Sequence, residues 1–248
     1  MLHAVQQAAL GTGFTFAMTA LGAATVFFLA GTPRLRFHRL MIGFAAGVMA
    51  AASIWSLLLP AIDRAEGTRL PVWLPSAGGL LAGVVFLAAL DRLLRYLRPG
   101  EGENANALLM AAITLHNIPE GMAVGLAFAL AVSGEELAAA WALALGIGIQ
   151  NFPEGAAVAL PLRQEGRGRF AAFLGGALSG AVEPLFGVLA VLAAAGADPV
   201  MPWLLSFAAG AMLYVVVEEL VPQAHSAAGT WGFVAGFLVM MVLDVALG

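Results

Sequence analysis

His116-Asn117-Ile118-Pro119-Glu120-Gly121 and Gln150-Asn151-Phe152-Pro153-Glu154-Gly155 each lie in the middle of a long apolar run. Each puts a carboxylate where hydrocarbon would otherwise surround it. Glu120 follows His116 by four residues and Glu154 follows Gln150 by four, so each pair shares one helix face. The intervening Pro119 and Pro153 remove a backbone donor and free the carbonyls four residues back, at Leu115 and Ile149. Polar side chains, a broken helix and membrane depth together describe a substrate site in a transporter. A network that only fastens helices together needs one or two Ser or Asn, not paired glutamates.

The rest of the chain agrees with membrane depth. It is 61% hydrophobic and 10% charged over 248 residues, against about 25% charged in a soluble domain. Apolar runs of roughly 20 residues alternate along its length, which predicts an all-α polytopic protein embedded in the lipid bilayer. Without cysteine there is no disulfide framework, thiolate metal site or Fe–S cluster. The net charge is -4 and the arginines form no basic stripe, which excludes nucleic acid as a partner. No cleavable signal peptide is expected, because the first run follows Met1-Leu2-His3 without a basic leader.

Eight transmembrane helices are predicted within a single domain spanning 1–248, at about 5–30, 39–62, 72–94, 105–131, 137–162, 169–196, 201–222 and 230–247. Short connections carry turn residues, as at Gly31-Thr32-Pro33, Pro99-Gly100 and Gly196-Ala197-Asp198-Pro199. All 11 basic residues are arginine. Arg34, Arg36, Arg39, Arg92, Arg95, Arg98, Arg163, Arg167 and Arg169 flank three loops on one side; only Arg64 and Arg69 fall on the other. The positive-inside rule puts those three loops in the cytoplasm and both termini outside. An even number of spans fits, since both termini then share a side.

Depth can be estimated from position. His116 is about 11 residues into its segment, roughly 16 Å along a helix, and Gln150 lies similarly deep from the opposite face. Both sets reach the middle of a core about 30 Å thick. Two antiparallel segments with one shared pattern read as an inverted pair around a midplane site. Glu183, followed by Pro184, adds a third carboxylate at that depth.

Other positions carry weaker signals. The repeated small-residue pairs Gly43/Gly47, Gly79/Gly83, Gly121/Gly125, Gly176/Gly180 and Gly232/Gly236 form a smooth packing surface and no specific dimer signal, leaving a homodimer open. Met49 is near mid-membrane; it reads as core filler, although its thioether can touch a soft metal. Asn104 or Asn106 suits a helix cap, and Glu101 and Glu103 read as solvated charges. His3 and His38 read as terminal and interfacial residues. Asp63 and Glu66 at the outer end of the second segment suit gathering cations or capping a helix. Glu218, Glu219 and His225 at the inner end of the seventh read as facing water, with Asp63, Glu219 and His225 the candidates for the way in and out. Asp244 reads as interfacial.

The midplane therefore collects one imidazole, three carboxylates and three amides. Three buried anions without a buried Lys or Arg must be protonated or hold a cation. Nitrogen and oxygen donors of intermediate hardness suit Zn²⁺, Fe²⁺, Mn²⁺ or Co²⁺, with Cd²⁺ as a mimic. Ca²⁺ wants more oxygens, and Mg²⁺ does not favour a histidine.

These two hexapeptides, with Gly210-Ala-Met-Leu-Tyr-Val-Val-Val-Glu-Glu-Leu-Val-Pro-Gln-Ala-His225, resemble the ZIP (Zrt-, Irt-like protein) metal transporters, and among them the bacterial GufA-like branch. The resemblance covers essentially the whole chain. It implies eight helices, outside termini, residence in the bacterial inner membrane and uptake of divalent metal toward the cytoplasm. It also implies a binuclear midplane site, with the first, fourth, fifth and sixth helices moving against the others in an elevator-like step. By the resemblance, one metal takes His116, Glu120, Gln150 and Glu154 with Met49 nearby. The other takes Asn117, Glu120, Asn151, Glu154 and Glu183. This chain departs from many relatives at neutral Gln150 and Asn151, which predicts a weaker second site. It also has a short loop between the third and fourth segments where relatives carry a His-rich one.

Two other classes compete. An intramembrane metallohydrolase of the zincin type needs H-E-x-x-H, but Asn117 stands in the place of the base and no second helical histidine follows. A receptor-like membrane protein with a regulatory metal differs from a transporter by the absence of flux.

Overall fold

The computed structural model describes residues 2–28, 35–66, 70–97, 105–131, 134–164, 166–195 and 198–247. Gly31-Thr32-Pro33, Arg34, Arg69, Arg98, Pro99-Gly100, Glu101, Glu103, Asn104 and Gly196-Ala197 lie outside the described residues, as do the side chains of Arg95 and Asn106. Every element described is helical. In order they are α1 (Leu2–Ala23, ending in a 3₁₀ turn Ala24–Phe27), α2 (Leu35–Ala52), a π-turn (Ser53–Leu58), α3 (Leu59–Ala65) and α4 (Trp73–Leu97). Then come α5 (Ala105–Leu130), α6 (Gly134–Gln164), α7 (Arg169–Ser179) and α8 (Val182–Ala194). The last are α9 (Met201–Val215), a second π-turn (Val216–Leu220), α10 (Val221–Ala224) and α11 (Ala227–Leu247).

Among the described residues, six stretches are long and apolar enough to cross a membrane: Leu2–Phe27, Leu35–Ala65, Trp73–Leu93, Arg169–Ala194, Met201–Ala224 and Ala227–Leu247. The helices α5 and α6 are not among them. Each carries its block of His or Gln, Asn and Glu at mid-length, and the side chains of α5 are described only from Thr114 onward.

The expected breaks fall elsewhere than predicted. Both α5 and α6 run as single α-helices through Pro119 and Pro153. A proline inside a helix forfeits one hydrogen bond, but neighbouring helices can hold the register. Here the glycines after each proline lay the helix against a neighbour's backbone. A Cβ at Gly121 or Gly125 would collide with the carbonyls of Glu183 and Gly187 on α8, and one at Gly155 with Thr19 on α1.

The sixth segment is the one that breaks. Gly180 and Ala181 donate three residues back, to Ala177 and Leu178 at 3.2 Å each, and Glu183 donates to the Gly180 carbonyl at 3.0 Å. Pro184 has no N–H to offer Gly180 four residues earlier, so α7 ends and α8 starts afresh with Glu183 in its first turn. The two π-turns also stand just ahead of prolines, Pro60 and Pro222, which occupy the first turns of α3 and α10. Wide turns of this kind are frequent at functional sites.

Packing is closest within two sets of helices. In one, α1 lies on α6, and α5 lies on α8 with α7 beside them. In the other, α2 lies on α11 and α4 on α9. The small-residue pairs serve these intrachain contacts. Gly43 and Gly47 bring α2 against the carbonyls of Gly229 and Phe233, and Gly83 brings α4 against that of Phe207. The sets meet where α2 and α11 cross α6 and where α9 crosses α5. That seam carries His116 and Glu154 of the two polar blocks, and Glu219.

Candidate metal site

Residues His116 and Gln150 sit near the middles of α5 and α6, and Glu183 near the middle of the composite Arg169–Ala194 segment. All three therefore share a mid-length position in their segments. His116, Asn117, Glu120, Gln150, Asn151 and Glu183 are buried, with Glu120 at 0% exposure. Glu154 is half-buried and lines a narrow crevice together with His116, His38, Met41, Leu220 and Gln223. Glu120 is within electrostatic reach of both Glu154 and Glu183, and Glu154 is within reach of His116.

The amide donors are all engaged. Gln150 Nε2 donates to Glu120 Oε1 at 2.6 Å, and Asn117 Nδ2 to the Ser179 carbonyl at 2.8 Å. Asn151 Nδ2 donates to Glu183 Oε2 at 3.0 Å and lies 3.4 Å from the Thr15 carbonyl. The other Glu183 oxygen accepts from Thr19 Oγ1 at 3.3 Å. Here the break in the sixth segment matters locally. The Ser179 carbonyl at the end of α7 is left for Asn117, and the first turn of α8 is where a carboxylate is favoured by the helix dipole.

What remains is a set of lone pairs. His116 Nε2, Asn117 Oδ1, Glu120 Oε2, Gln150 Oε1, Asn151 Oδ1 and Glu154 Oε2 are all buried without a hydrogen-bond partner. Each of the six polar residues of the two hexapeptides contributes one such atom. Leaving a buried acceptor unsatisfied costs about 1–3 kcal/mol, so six together need a common reason. A cation accepts lone pairs from several of them at once; a further helix-packing hydrogen bond would satisfy at most one.

Residue Glu219 belongs to this site, although its sequence position suggested only a water-facing terminus or a route. It lies in the second π-turn with its Oε2 2.9 Å from His116 Nε2. The pair has ion-pair distance without the direction of an N–H hydrogen bond, which leaves the imidazole nitrogen among the unpartnered atoms. Among the described residues no three of His, Asp and Glu converge into a preformed cage. The acids are instead spread over partners: Glu120 with Gln150, Glu183 with Asn151 and Thr19, and Glu219 with His116.

The remaining candidates divide. Met49 is fully buried in the main apolar cluster, its carbonyl accepting from Ser53 Oγ at 2.7 Å. His225 is exposed just past α10, and His3 is exposed near the start of α1. Asp63 is exposed and lines a second crevice with Arg64, Glu136 and Asp244. Asp244, read from the sequence as interfacial, is half-buried, and Ser56 Oγ donates to its Oδ1 at 2.6 Å. Thr15 and Thr19, which support Asn151 and Glu183 from α1, are site residues that the sequence hardly signals. Their only mark is the run Thr12, Thr15 and Thr19 at helical spacing, on a helix that is otherwise apolar after Gln7.

Known proteins are similar to this chain in sequence. A family model described as ZIP zinc transporter matches residues 100–244. The zinc transporter ZIP11 of Homo sapiens is 36% identical, over 98% of this chain and 98% of its own length. The zinc transporter GufA of Myxococcus xanthus is 37% identical over 84% of this chain and 86% of its own. The zinc transporter ZIPB of Bordetella bronchiseptica is 39% identical over 98% and 82% respectively.

Proposed function

We infer that this chain, which belongs to the ZIP zinc transporter family, transports divalent metal ions across a membrane with Zn²⁺ foremost, through the seam between its two sets of helices. The observation that carries this reading is the set of six unpartnered lone-pair atoms, one from each polar hexapeptide residue. Transport is a different task from catalysis, and the zincin base has no counterpart here because Asn117 holds its place.

In this reading one ion is taken by His116, Glu120, Gln150 and Glu154, with Met49 beside them. A second is taken by Asn117, Glu120, Asn151, Glu154 and Glu183, so that the two glutamates bridge. Both amides bind through oxygen, since their nitrogens already donate elsewhere. The second ion is held less tightly, because Asn151 is neutral and both oxygens of Glu183 accept hydrogen bonds. The carbonyls of Leu115 and Ile149, lacking a proline donor, add polarity beside the path. Cd²⁺ binds as a mimic.

All eight segments span the bilayer, both termini are outside, and ions move toward the arginine-rich, cytoplasmic face of a bacterial inner membrane. The set α1, α5, α6, α7 and α8 slides against the other, and the denser packing within each set supports that division. His116 leaves Glu219 to take the metal and returns to it on release. Purified protein in liposomes loaded with a zinc-sensitive dye tests the function directly: Zn²⁺ flux is expected, and a tightly bound metal with no flux would leave a regulatory site as the better account.

A further inference from the structure

Two apolar grooves flank the start of α2, with Phe37 as the ridge between them. Both grooves include Phe37 in their walls. The first lies between α2 and α6, where Leu35, His38 and Met41 face Phe152, Ala156 and Leu160. The second lies between α2 and α11, where Arg36 and Leu40 face Ala227 and Trp231. Leu35, Phe37, Phe152 and Trp231 are all exposed, Trp231 at 72%. In a membrane, surfaces like these are covered by lipid and not by water.

The charge at this place narrows the occupant. Arg36 is exposed in the wall of the second groove, and Arg39 stands one turn away. Neither is in an ion pair with a carboxylate among the described residues. Tryptophan beside arginine at a helix end is the composition of a membrane interface, and arginines there attract anionic head groups. The guanidinium fork matches a phosphate in two-point geometry.

We propose that an anionic phospholipid of the bilayer straddles Phe37, with its phosphate on Arg36 and one acyl chain in each groove. The chain in the first groove has a consequence for the metal path. That groove shares His38, Met41, Pro153 and Ala157 with the crevice that reaches Glu154 and His116. The lipid tail thus forms the outer wall of the crevice and wedges α2 of one helix set from α6 of the other. This goes beyond the metal-site reading and depends only on the chain being embedded in a bilayer.

Native mass spectrometry of the detergent-purified chain, titrated with phosphatidylglycerol or phosphatidylcholine, provides the test. Phosphatidylglycerol should be retained preferentially, and Arg36→Gln should weaken its retention about fivefold, the worth of one arginine near a membrane surface. Arg167→Gln, an exposed arginine on another loop, should leave retention unchanged. Lysophosphatidylglycerol fills one groove only and should be held more weakly than the two-chain lipid. A phosphatidylglycerol with a photoreactive tail should label residues 152–160 of α6. Equal retention of the two head groups, undiminished retention in Arg36→Gln, or labelling confined to other helices would each overturn the proposal.

Discussion

The two hexapeptides are near copies, yet their leading residues look in opposite directions. Gln150 stays within its own set of helices and donates to Glu120. His116 reaches across the seam to Glu219 in the π-turn of the other set. One repeated local sequence has thus been put to two uses, a support within one set of helices on α6 and a contact across the seam on α5. Like sequence dictates like helix geometry, but which neighbour a side chain meets depends on the helix packed opposite.

That asymmetry can be broken by mutation, and the largest effect should come from removing what the two motifs share. Glu120→Ala or Glu154→Ala is expected to abolish Zn²⁺ uptake while the protein still reaches the membrane, because each glutamate bridges both ions in the proposed site. Uptake assays with quantified membrane protein check this; near wild-type uptake by either variant would remove the bridging assignment.

Next come the residues that differ. His116→Gln makes the two motifs alike and should lower uptake at limiting Zn²⁺ by about tenfold or more, on the scale that metal sites lose when a ligand or its support is altered. Gln150→His makes them alike in the other sense and should retain uptake, since an imidazole nitrogen replaces an amide oxygen. Glu219→Gln should have an effect smaller than His116→Gln, as it acts through the imidazole. Parallel uptake curves for the three variants sharpen the comparison, and identical losses in His116→Gln and Gln150→His would dissolve it.

Protonation gives a smaller effect. A ligand must give up its proton to bind metal, so apparent Zn²⁺ affinity should rise with pH while His116 and the carboxylates still carry protons. Binding in weak buffer should release protons, and Glu183→Gln should release fewer. Calorimetry in buffers of different ionisation enthalpy measures both, and a release that does not differ between wild type and Glu183→Gln would separate Glu183 from the metal.

The smallest effect concerns the second ion. Asn151→Asp adds a charge beside Glu183 and should tighten the weaker of the two binding steps without changing the stronger one. Titration that finds two equally tight sites in the wild type would contradict the ranking on which this rests.

Much of the site is legible in the sequence, for a covalent reason. Spacing of four residues places His116 over Glu120 and Gln150 over Glu154 whatever surrounds them, and mid-segment position sets depth through the fixed rise of a helix. The glycine pairs are legible as packing surfaces, because only a missing Cβ lets two backbones approach so closely. The helix breaks are not legible, for an equally definite reason. Whether a proline interrupts a helix depends on what holds the turn around it. Gly121, Gly125 and Gly155 seat α5 and α6 on neighbouring backbones, whereas Pro184 follows a Gly180 whose carbonyl receives a shorter-range bond from Glu183.

By itself, then, the sequence determined that this chain is helical, apolar enough for a membrane, and equipped with three acids, an imidazole and three amides at one depth. Those properties follow from residue chemistry and from distances along a single helix. Only the tertiary structure decided that the amide nitrogens are taken up by other groups, that six lone pairs are left without partners, and that Glu219 meets His116. Those relations join residues 30 to 136 positions apart in the chain. No repeat or periodicity encodes them, because they are set by which helices pack and how closely their backbones are allowed to approach.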